Sequence, residues 1–249
     1  LDFCVQSLAR SLQFCTEQKL YIDWQLHIID NGNNPELKKY LGSQIALTIN
    51  TKNEGFGKAH NIAISGSTAE FHLIVNPDVV FQIDSLFELV SLMKTNNNLI
   101  LSGPKGLSKL GDNARLCKRY PTLWVLFLRG FAPKSLKNRF QDQLKRYEYH
   151  DLPEGRPSFG VNLLSGCCML AKTEPIKALG GFDPKYFLYF EDYDLCIRAS
   201  QMGEIAYNPR ALITHSGGNT SKKSLIHTRY FLTSAGRFFA NHYRLAKVI

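Results

Sequence analysis

Short apolar runs that end in turn-forming residues alternate with helical repeats through the first 104 residues of the chain. The strand-like runs are residues 24–29, 45–49, 71–75 and 99–102. Apolar residues at helical spacing mark the segments around them, at 1–18, 37–41, 59–63 and 85–93. This alternation is typical of α/β proteins, and it predicts a mostly parallel central sheet covered by helices.

Two of these strand-like runs place an acid at their carboxyl end. Asp30 follows the first run, and Asn76-Pro77-Asp78 follows the run at 71–75. Pro77 has no N–H and should end its strand. Ligands of open α/β sheets bind beyond the carboxyl ends of strands, so Asp78 is placed where a ligand or metal would lie. Asn-Pro-Asp is also good turn chemistry, and the segment taken alone favours a simple turn.

A glycine-bearing loop, Asn53-Glu-Gly-Phe-Gly-Lys-Ala-His-Asn61, lies between the second strand and a helix. Gly55 and Gly57 let backbone N–H groups approach an anion, and the start of a helix favours negative charge. The loop lacks the third glycine of the dinucleotide fingerprint and the lysine-hydroxyl pair of a P-loop. It is compatible with phosphate binding, although glycines often serve only the turn.

The second half of the chain carries three further candidate segments. The apolar run 161–171 is interrupted at Ser165-Gly166, which indicates a bulge or the close approach of a ligand. An aromatic-rich loop then leads into the acids Glu191, Asp192 and Asp194 at a helix start. Partial burial would raise the pKa values of such acids and make a general base available. His215 ends the last extended piece, where a lone histidine is more often structural than a ligand.

The net charge of +9 is concentrated in two basic segments. Residues 105–150 carry +8 and residues 215–249 carry +6, which leaves −5 for the rest. Such segments suit an anionic partner, or they form a solvated surface. Within the first, the apolar stretch 122–128 is interpreted either as a core or lid helix or as a shallow membrane contact. The membrane reading puts two aromatic residues in lipid and three cations at the headgroups: Trp124, Phe127, Arg129, Lys134 and Lys137.

Six cysteines without metal-ligand spacing indicate reduced thiols in a cytoplasmic chain. The adjacent Cys167 and Cys168 are interpreted as small core residues. No signal peptide is visible, and no apolar run approaches the ~20 residues of a membrane span. With 44% hydrophobic residues, the composition excludes a disordered chain.

Taken together, these motifs resemble the inverting family 2 glycosyltransferases of the GT-A fold. They look especially like the bacterial rhamnosyltransferase branch that builds O-antigen and related cell-surface polysaccharides, including lipopolysaccharide. The resemblance runs from Asp30 to about Tyr243. It is carried by Ile-Ile-Asp30-Asn31, the loop Asn53–Asn61, Val75-Asn-Pro-Asp78, Leu164-Ser-Gly166, Gly181-Phe-Asp183, Phe190-Glu-Asp-Tyr-Asp-Leu195 and His215.

The resemblance implies a role for each matched residue. Asp192 corresponds to the catalytic base, and Asp78 to a ligand of a divalent cation, Mg²⁺ or Mn²⁺. His215 corresponds to a histidine that joins the metal in some members. Asp30 would contact the base or ribose of the nucleotide-sugar donor. The other residues expected to bind the donor are Asn53, Gly55, Phe56, Gly57, Asn61, Asn76 and Asp78. The acceptor would contact Ser165, Gly166 and Glu191. Asn76 replaces the first acid of a strict D-x-D motif.

The resemblance also implies a substrate and a setting. The donor is expected to be dTDP-L-rhamnose, and the acceptor a lipid-linked saccharide at the inner face of the cytoplasmic membrane. The chain would contact anionic lipid peripherally and would not bind nucleic acid. Two other classes stay open: a nucleotidyltransferase with a GT-A-like sheet, and a non-enzymatic basic module that binds membrane or nucleic acid.

We expect one domain over residues 1–249. Residues 1–104 would form the nucleotide-sugar half, 105–215 the acceptor half, and 216–249 a basic aromatic helix. The family normally opens with a strand that ends in a nucleotide contact. Residue 1 already lies in a helical pattern, so we expect that first strand to be missing from the sequence.

Overall fold

The computed structural model describes residues 1–215 and 225–242. Tyr243 and the rest of the expected basic tail, as well as residues 216–224, lie outside the described residues. The described helices are α1 (Asp2–Glu17), α2 (Phe56–Gly66), α3 (Ser85–Thr95), α4 (Leu123–Gly130), α5 (Lys134–Arg139), α6 (Gln141–Tyr147), α7 (Thr173–Ala178), α8 (Glu191–Ala199) and α9 (Leu225–Asn241), with a short 3₁₀ helix at Pro35–Tyr40. The strands are β1 (Leu26–Asp30), β2 (Ile45–Ile49), β3 (Phe71–Val75), β4 (Val79–Phe81), β5 (Leu99–Leu107), β6 (Cys117–Lys118), β7 (Ser158–Phe159), β8 (Leu163–Leu164), β9 (Cys168–Lys172) and β10 (Glu204–His215).

The main sheet has six strands, with β3, β9, β5, β10 and β4 side by side and β7 paired to β10. β9 runs antiparallel to both β3 and β5, whereas β10 runs parallel to β5. It follows that β3, β5 and β10 point the same way and end at one edge. β1 and β2 form a separate parallel pair, and β6 and β8 an antiparallel one. The expected α/β class is confirmed, and the sheet is more mixed than a mostly parallel one because β9 and β4 run against their neighbours.

Two expected strand boundaries are wrong. The strand at Leu99 continues through Gly103 and Pro104 to Leu107. The sequence also predicts separate extended pieces at 206–208 and 211–214, which the structure joins in the single strand β10. Pro104 is tolerated for two reasons. β5 pairs with β9 only as far as Ser102, and the pairing of β5 with β10 is interrupted by a bulge directly after Pro104. A proline that would break a regular ladder is accommodated at such an irregularity.

Two hydrophobic clusters cover the opposite faces of the sheet. One contains residues of α2, α8 and α9, such as Ile64, Leu195 and Phe238. The other contains residues of α1 and α3, such as Leu8 and Leu89. Helices on both faces of a sheet are the layered arrangement that the alternating sequence predicts. All six cysteines are buried free thiols, which agrees with their interpretation as core residues.

No helix among residues 1–215 and 225–242 is both long and apolar enough to cross a membrane.

A buried ionic network fixes α9 to α8. Asp194, on α8, is buried, with 3% of its surface exposed. Its Oδ2 atom accepts a hydrogen bond from Arg198 Nε at 2.7 Å, and its Oδ1 atom contacts His242 Nε2 at 2.9 Å. The Arg198 guanidinium also donates to the carbonyls of Leu179 and Gly181. Although burial raises the pKa of Asp194, the His242 and Arg198 contacts outweigh it and leave that pKa below its ordinary value. Asp194 is therefore part of the scaffold, in contrast to its two acidic neighbours.

Replacing Asp194 by Asn should destabilise the protein by ~3 kcal/mol at pH 7, because Arg198 would lose its buried counterion. A depressed carboxyl pKa stabilises the fold above the unfolded value of about 4, and this contribution is lost as pH falls through the folded pKa. Urea unfolding from pH 3 to pH 7 should therefore give a flatter stability curve for Asp194→Asn than for the wild type. The exposed Asp142→Asn serves as the control and should change stability by less than about 0.5 kcal/mol. Equal curves for both variants would contradict the network.

Candidate functional site

Asp78 and His215 meet at the edge where β3 and β10 end. β4 turns back after Pro77 and pairs antiparallel with the end of β10, with Val79 opposite His215. As a result His215 Nε2 lies 3.3 Å from Asp78 Oδ1, and both side chains are partly exposed. The two residues that the sequence separates by more than 130 positions thus form one pair, as expected for shared ligands of a cation.

Asp192 lies in the first turn of α8, against the break between β8 and β9. Its Oδ2 accepts from the Gly166 N–H at 2.9 Å, and its Oδ1 accepts from the Tyr193 N–H at 2.9 Å. A Cβ atom at Gly166 would come within 3.2 Å of the Asp192 Cβ and 3.1 Å of the Phe56 ring. The small residue at 166 therefore lets the carboxylate, the Phe56 ring and the backbone come together.

Asp192 and its neighbour Glu191 have raised pKa values for related reasons. Burial raises the pKa of Asp192, and the two backbone N–H donors only partly offset this. Burial first, and the Asp192 charge second, raise the pKa of Glu191 to about 8. Glu191 is 5% exposed, and its Oε2 has no hydrogen-bond partner among the described residues. These shifts favour the protonated form of Glu191, while the two N–H donors favour the charged form of Asp192.

The glycine loop is held against the aromatic loop that precedes α8. The Phe56 N–H donates to the Phe187 carbonyl at 3.1 Å. Gly55 has φ +88°, and a Cβ there would collide with the Phe187 carbonyl oxygen and lie 3.1 Å from its carbon. Both the positive φ and the close backbone approach require glycine. The aromatic loop therefore positions Gly55 and Phe56 as well as Glu191 and Asp192.

Asn31 links the end of β1 to the glycine loop. Its Nδ2 donates to the Gly55 carbonyl at 3.1 Å, and its Oδ1 accepts from Asn50 Nδ2 at 2.7 Å. Asp30 lies beside it, 6% exposed, with its carboxylate accepting from the Gly32 and Asn34 N–H groups. Sequence reasoning assigned a site role to Asp30 and none to Asn31. The position of Asn31 directly after the end of a strand is the sequence feature that could have indicated a role for it.

Two asparagines of the loop already have partners within the protein. Asn53 Oδ1 accepts from the Gly55 N–H at 2.9 Å and so shapes the turn. Asn61 Oδ1 accepts from the Phe182 N–H at 2.9 Å, and its Nδ2 donates to the Phe182 carbonyl at 2.8 Å. The Asn61 amide is thus occupied by Phe182, which favours a structural role over the expected contact with a diphosphate.

Cys167 lies between the Asp192 carboxylate and the Asp78–His215 pair. Cys167 follows Gly166, and its carbonyl accepts from the Asn76 N–H at 2.8 Å. Burial raises the pKa of the Cys167 thiol to about 12; the Asp192 and Asp78 carboxylates add to this, while the Ser165 hydroxyl opposes it. Both carboxylates therefore lie close enough to Cys167 to act on it. Ser165 is partly exposed beside them, where the expected acceptor floor would be.

Asp78 and His215 provide one carboxylate and one imidazole to a cation. Within residues 1–215 and 225–242, no cluster of three or more His, Cys, Asp or Glu side chains is placed to hold a metal. A Mg²⁺ or Mn²⁺ ion commonly takes one or two protein ligands and completes its shell with water and substrate phosphates. The pair fits such a cation, whose remaining ligands would come from the diphosphate of a donor.

Comparison with known protein families decides the class of the chain. The family model described as glycosyltransferase like family 2 matches residues 36–230, which is most of the chain. The chain is a family 2 glycosyltransferase. This assignment confirms the resemblance drawn from the motifs, and it favours the glycosyltransferase over the other two classes that the sequence left open.

Curated relatives of this glycosyltransferase include two rhamnosyltransferases. It is 27% identical to the N-acetylglucosaminyl-diphospho-decaprenol L-rhamnosyltransferase of Mycobacterium tuberculosis, over 82% of this chain and 69% of the relative. It is 24% identical to rhamnosyltransferase WbbL of Escherichia coli, over 75% of this chain and 70% of the relative.

A solved structure shares the fold at lower identity. The crystal structure of GalNAc-T7 with UDP, GalNAc and Mn²⁺ superposes with a TM-score of 0.54 at 14% identity. The match covers 77% of this chain and 37% of that one. It supports the GT-A fold of the glycosyltransferase.

Substituting Gly55 tests the close approach on which the glycosyltransferase site is built. Gly55→Ala should lower the free energy of unfolding by at least ~2 kcal/mol, because it adds a strained φ and a clash with the Phe187 carbonyl. Gly66→Ala at the end of α2 is the matched control, since a Cβ there meets nothing within 4 Å. The control should be neutral or slightly stabilising by less than about 1 kcal/mol. Urea denaturation measures both, and equal stabilities would refute the contact.

Proposed function

We propose that this protein is a metal-dependent inverting glycosyltransferase in which Asp192 is the general base. The observation that carries the proposal is the position of the Asp192 carboxylate. It is fixed by two backbone N–H groups, lies beside Gly166 and Phe56, and has a raised pKa. A base of this kind is most effective when its pKa approaches the working pH.

The reaction is a single displacement at the anomeric carbon. The acceptor hydroxyl oxygen attacks that carbon and forms the glycosidic bond while Asp192 takes the hydroxyl proton. The bond between the anomeric carbon and the diphosphate oxygen breaks, and the nucleotide diphosphate leaves with that electron pair. One displacement from the face opposite the leaving group inverts the configuration. Ser165, Gly166 and Glu191 lie around Asp192, and we assign them to the acceptor side.

The donor diphosphate is assigned to the edge formed by the glycine loop and the Asp78–His215 pair. Gly55, Phe56 and Gly57 lie at the start of α2, where the helix favours an anion. The Gly55 and Phe56 N–H groups are bonded to Asn53 Oδ1 and to the Phe187 carbonyl, so these two residues shape the loop that would surround the diphosphate. A divalent cation held by Asp78 and His215 would neutralise the charge that develops on the leaving diphosphate. We also keep Asp30 and Asn76 as donor contacts and Asn53 as a residue that shapes the loop, whereas Asn61 supports the site by holding the Phe182 backbone.

The donor and the acceptor are inferred from relatives. Two rhamnosyltransferases align with most of this chain, and one of them is described as acting on a diphospho-decaprenol carrier. We infer that the donor is dTDP-L-rhamnose and that the acceptor is a lipid-linked saccharide of O-antigen or another cell-surface polysaccharide. A lipid-linked acceptor places the reaction at the inner face of the cytoplasmic membrane, with the enzyme bound peripherally.

Asp192→Asn tests the base assignment. The amide retains an oxygen for the Gly166 N–H and cannot take the acceptor proton, so kcat should fall by about 10²–10⁴-fold. Wild-type kcat/KM should be low at pH values below the raised Asp192 pKa, where the carboxyl is protonated. It should increase as the pH is raised through that pKa. Release of dTDP from dTDP-L-rhamnose, with a polyprenyl-diphosphate N-acetylglucosamine acceptor, provides the assay.

The control for this experiment is Asp112→Asn, an exposed loop acid that should keep wild-type turnover. Circular dichroism verifies that both variants are folded. Turnover by Asp192→Asn at the wild-type rate would eliminate Asp192 as the base. If the wild type transfers a different sugar and Asp192→Asn still loses activity, the donor assignment is wrong and the proposed mechanism is retained.

Asp78→Asn and His215→Ala test the metal assignment. Each removes one ligand, so the Mn²⁺ concentration for half-maximal activity should rise by about tenfold or more. The thermal shift produced by Mn²⁺ with dTDP should shrink in parallel, which separates binding from turnover. His150→Ala, outside the site, should leave both readouts unchanged. Full activity of the wild type after chelation of divalent cations would contradict a metal-dependent reaction.

A further inference from the structure

Helix α4 exposes an apolar face that the catalytic site does not use. Leu123, Trp124, Phe127 and Phe131 are 67%, 41%, 43% and 52% exposed. At 3.6 residues per turn these positions fall within an arc of about 100°. Val125, Leu126 and Leu128 lie on the other side of the helix and are buried. The helix therefore has a core face of its own, and the exposed face is additional to it.

The exposed aromatic residues are held in a fixed arrangement. The Trp124 ring stacks on Phe127 with centroids 5.6 Å apart and meets Phe140 edge-on at 5.3 Å. Its Nε1 donates to Gln143 Oε1 at 3.0 Å. Residues from α4 and from the α5–α6 junction thus form one cluster, which we call the α4 aromatic surface: Leu123, Trp124, Phe127, Phe131 and Phe140. Large contiguous apolar patches on a protein surface mark sites of interaction with a protein or a membrane.

The charge around this surface is strongly positive. Residues 129–146 contain six Lys or Arg and one Asp. Within the described ranges 1–215 and 225–242, the exposed Lys134, Arg139 and Lys145 make no ion pair. Arg139 directly precedes Phe140, and Lys137 Nζ donates to the Arg129 carbonyl at the end of α4. The cations therefore border the aromatic cluster and are free to meet an anionic partner.

We propose that the α4 aromatic surface and its bordering cations form the contact of this protein with an anionic lipid bilayer. Aromatic side chains enter the headgroup region, and lysine and arginine pair with the headgroups. The charge complementarity and the aromatic content favour a bilayer over an apolar protein partner. This contact would serve the peripheral membrane binding of the proposed function, and in that respect the proposal rests on that function. Vesicle binding can be measured without donor or acceptor.

Trp124 reports directly on the contact. The chain has two tryptophans, and Trp24→Phe leaves Trp124 as the single emitter. Vesicles of phosphatidylcholine with 30% phosphatidylglycerol should shift its emission to the blue, and lipids brominated near the headgroup should quench it. Pure phosphatidylcholine should give a much smaller effect. The binding should weaken as salt rises, because surface charges are screened within about 8 Å at physiological ionic strength.

Two double variants separate the aromatic and the ionic contributions. Trp124→Ser/Phe127→Ser should weaken vesicle binding by at least about tenfold, because both rings leave the lipid. Lys134→Glu/Arg139→Glu should weaken it by about fivefold or more for each cation removed. The matched controls are Phe3→Ser, an exposed aromatic on α1, and Lys38→Glu/Lys94→Glu, two exposed lysines outside the surface. Flotation with vesicles measures all of them.

Each outcome bears on one hypothesis. Vesicle binding that is lost in the surface variants and kept in the controls supports the membrane contact. Absent binding to anionic vesicles, or equal binding by surface and control variants, overturns it. A wild-type dimer in sedimentation that dissociates in Trp124→Ser/Phe127→Ser would assign the surface to a second copy instead. Surface variants should retain turnover on a short-chain soluble acceptor, so a failure here is distinct from a failure of the proposed reaction.

Discussion

The contact between the glycine loop and the Phe187 carbonyl fixes the geometry on which the site depends. Gly55 is left-handed and lies against that carbonyl, and the Phe56 N–H donates to it. The same aromatic loop ends at Phe190 with φ +67° and passes directly into the acids of α8. The glycine loop and the Asp192 carboxylate are therefore positioned by one short segment. A displacement of this segment would move both, because the glycine loop is hydrogen-bonded to Phe187 and Asp192 follows five residues later in the chain.

Helix α9 explains why that short segment stays in place. Ser234 Oγ donates to the Leu188 carbonyl, and the Tyr189 hydroxyl contacts His227 Nδ1 at 3.1 Å. At the far end of the helix, His242 binds the buried Asp194 carboxylate. The helix thus contacts the aromatic loop along its length and is fixed to α8 at its end. Over residues 225–242, the basic aromatic helix expected from the sequence therefore packs on the domain and supports the aromatic loop and α8.

Local sequence signals predicted the elements well, whereas contacts between distant residues were not predictable. β3 occurs where the apolar run and Pro77 place it, and α3 covers the helical repeat at 85–93. The role of Asn61 was not visible, because its amide binds a backbone 121 residues away. The Asp78–His215 pair follows from the antiparallel pairing of β4 with β10, and nothing local to either residue encodes that pairing. Before the structure, only the family resemblance assigned Asp78 and His215 to the same site.

The two adjacent acids at the start of α8 illustrate how one environment can assign two roles. Burial raises the pKa of both, and the Asp192 charge raises the pKa of Glu191 further. Asp192 receives two backbone N–H bonds that favour its charged form, while Glu191 has a buried oxygen without a described partner. The hydrogen bonds therefore favour the ionised form of Asp192 over that of Glu191. If the backbone at Gly166 moved, Asp192 would lose a donor, and the preference between the two carboxyls would weaken. The N–H of residue 166 favours the charged Asp192, and the missing side chain leaves the space that this carboxylate and the Phe56 ring occupy.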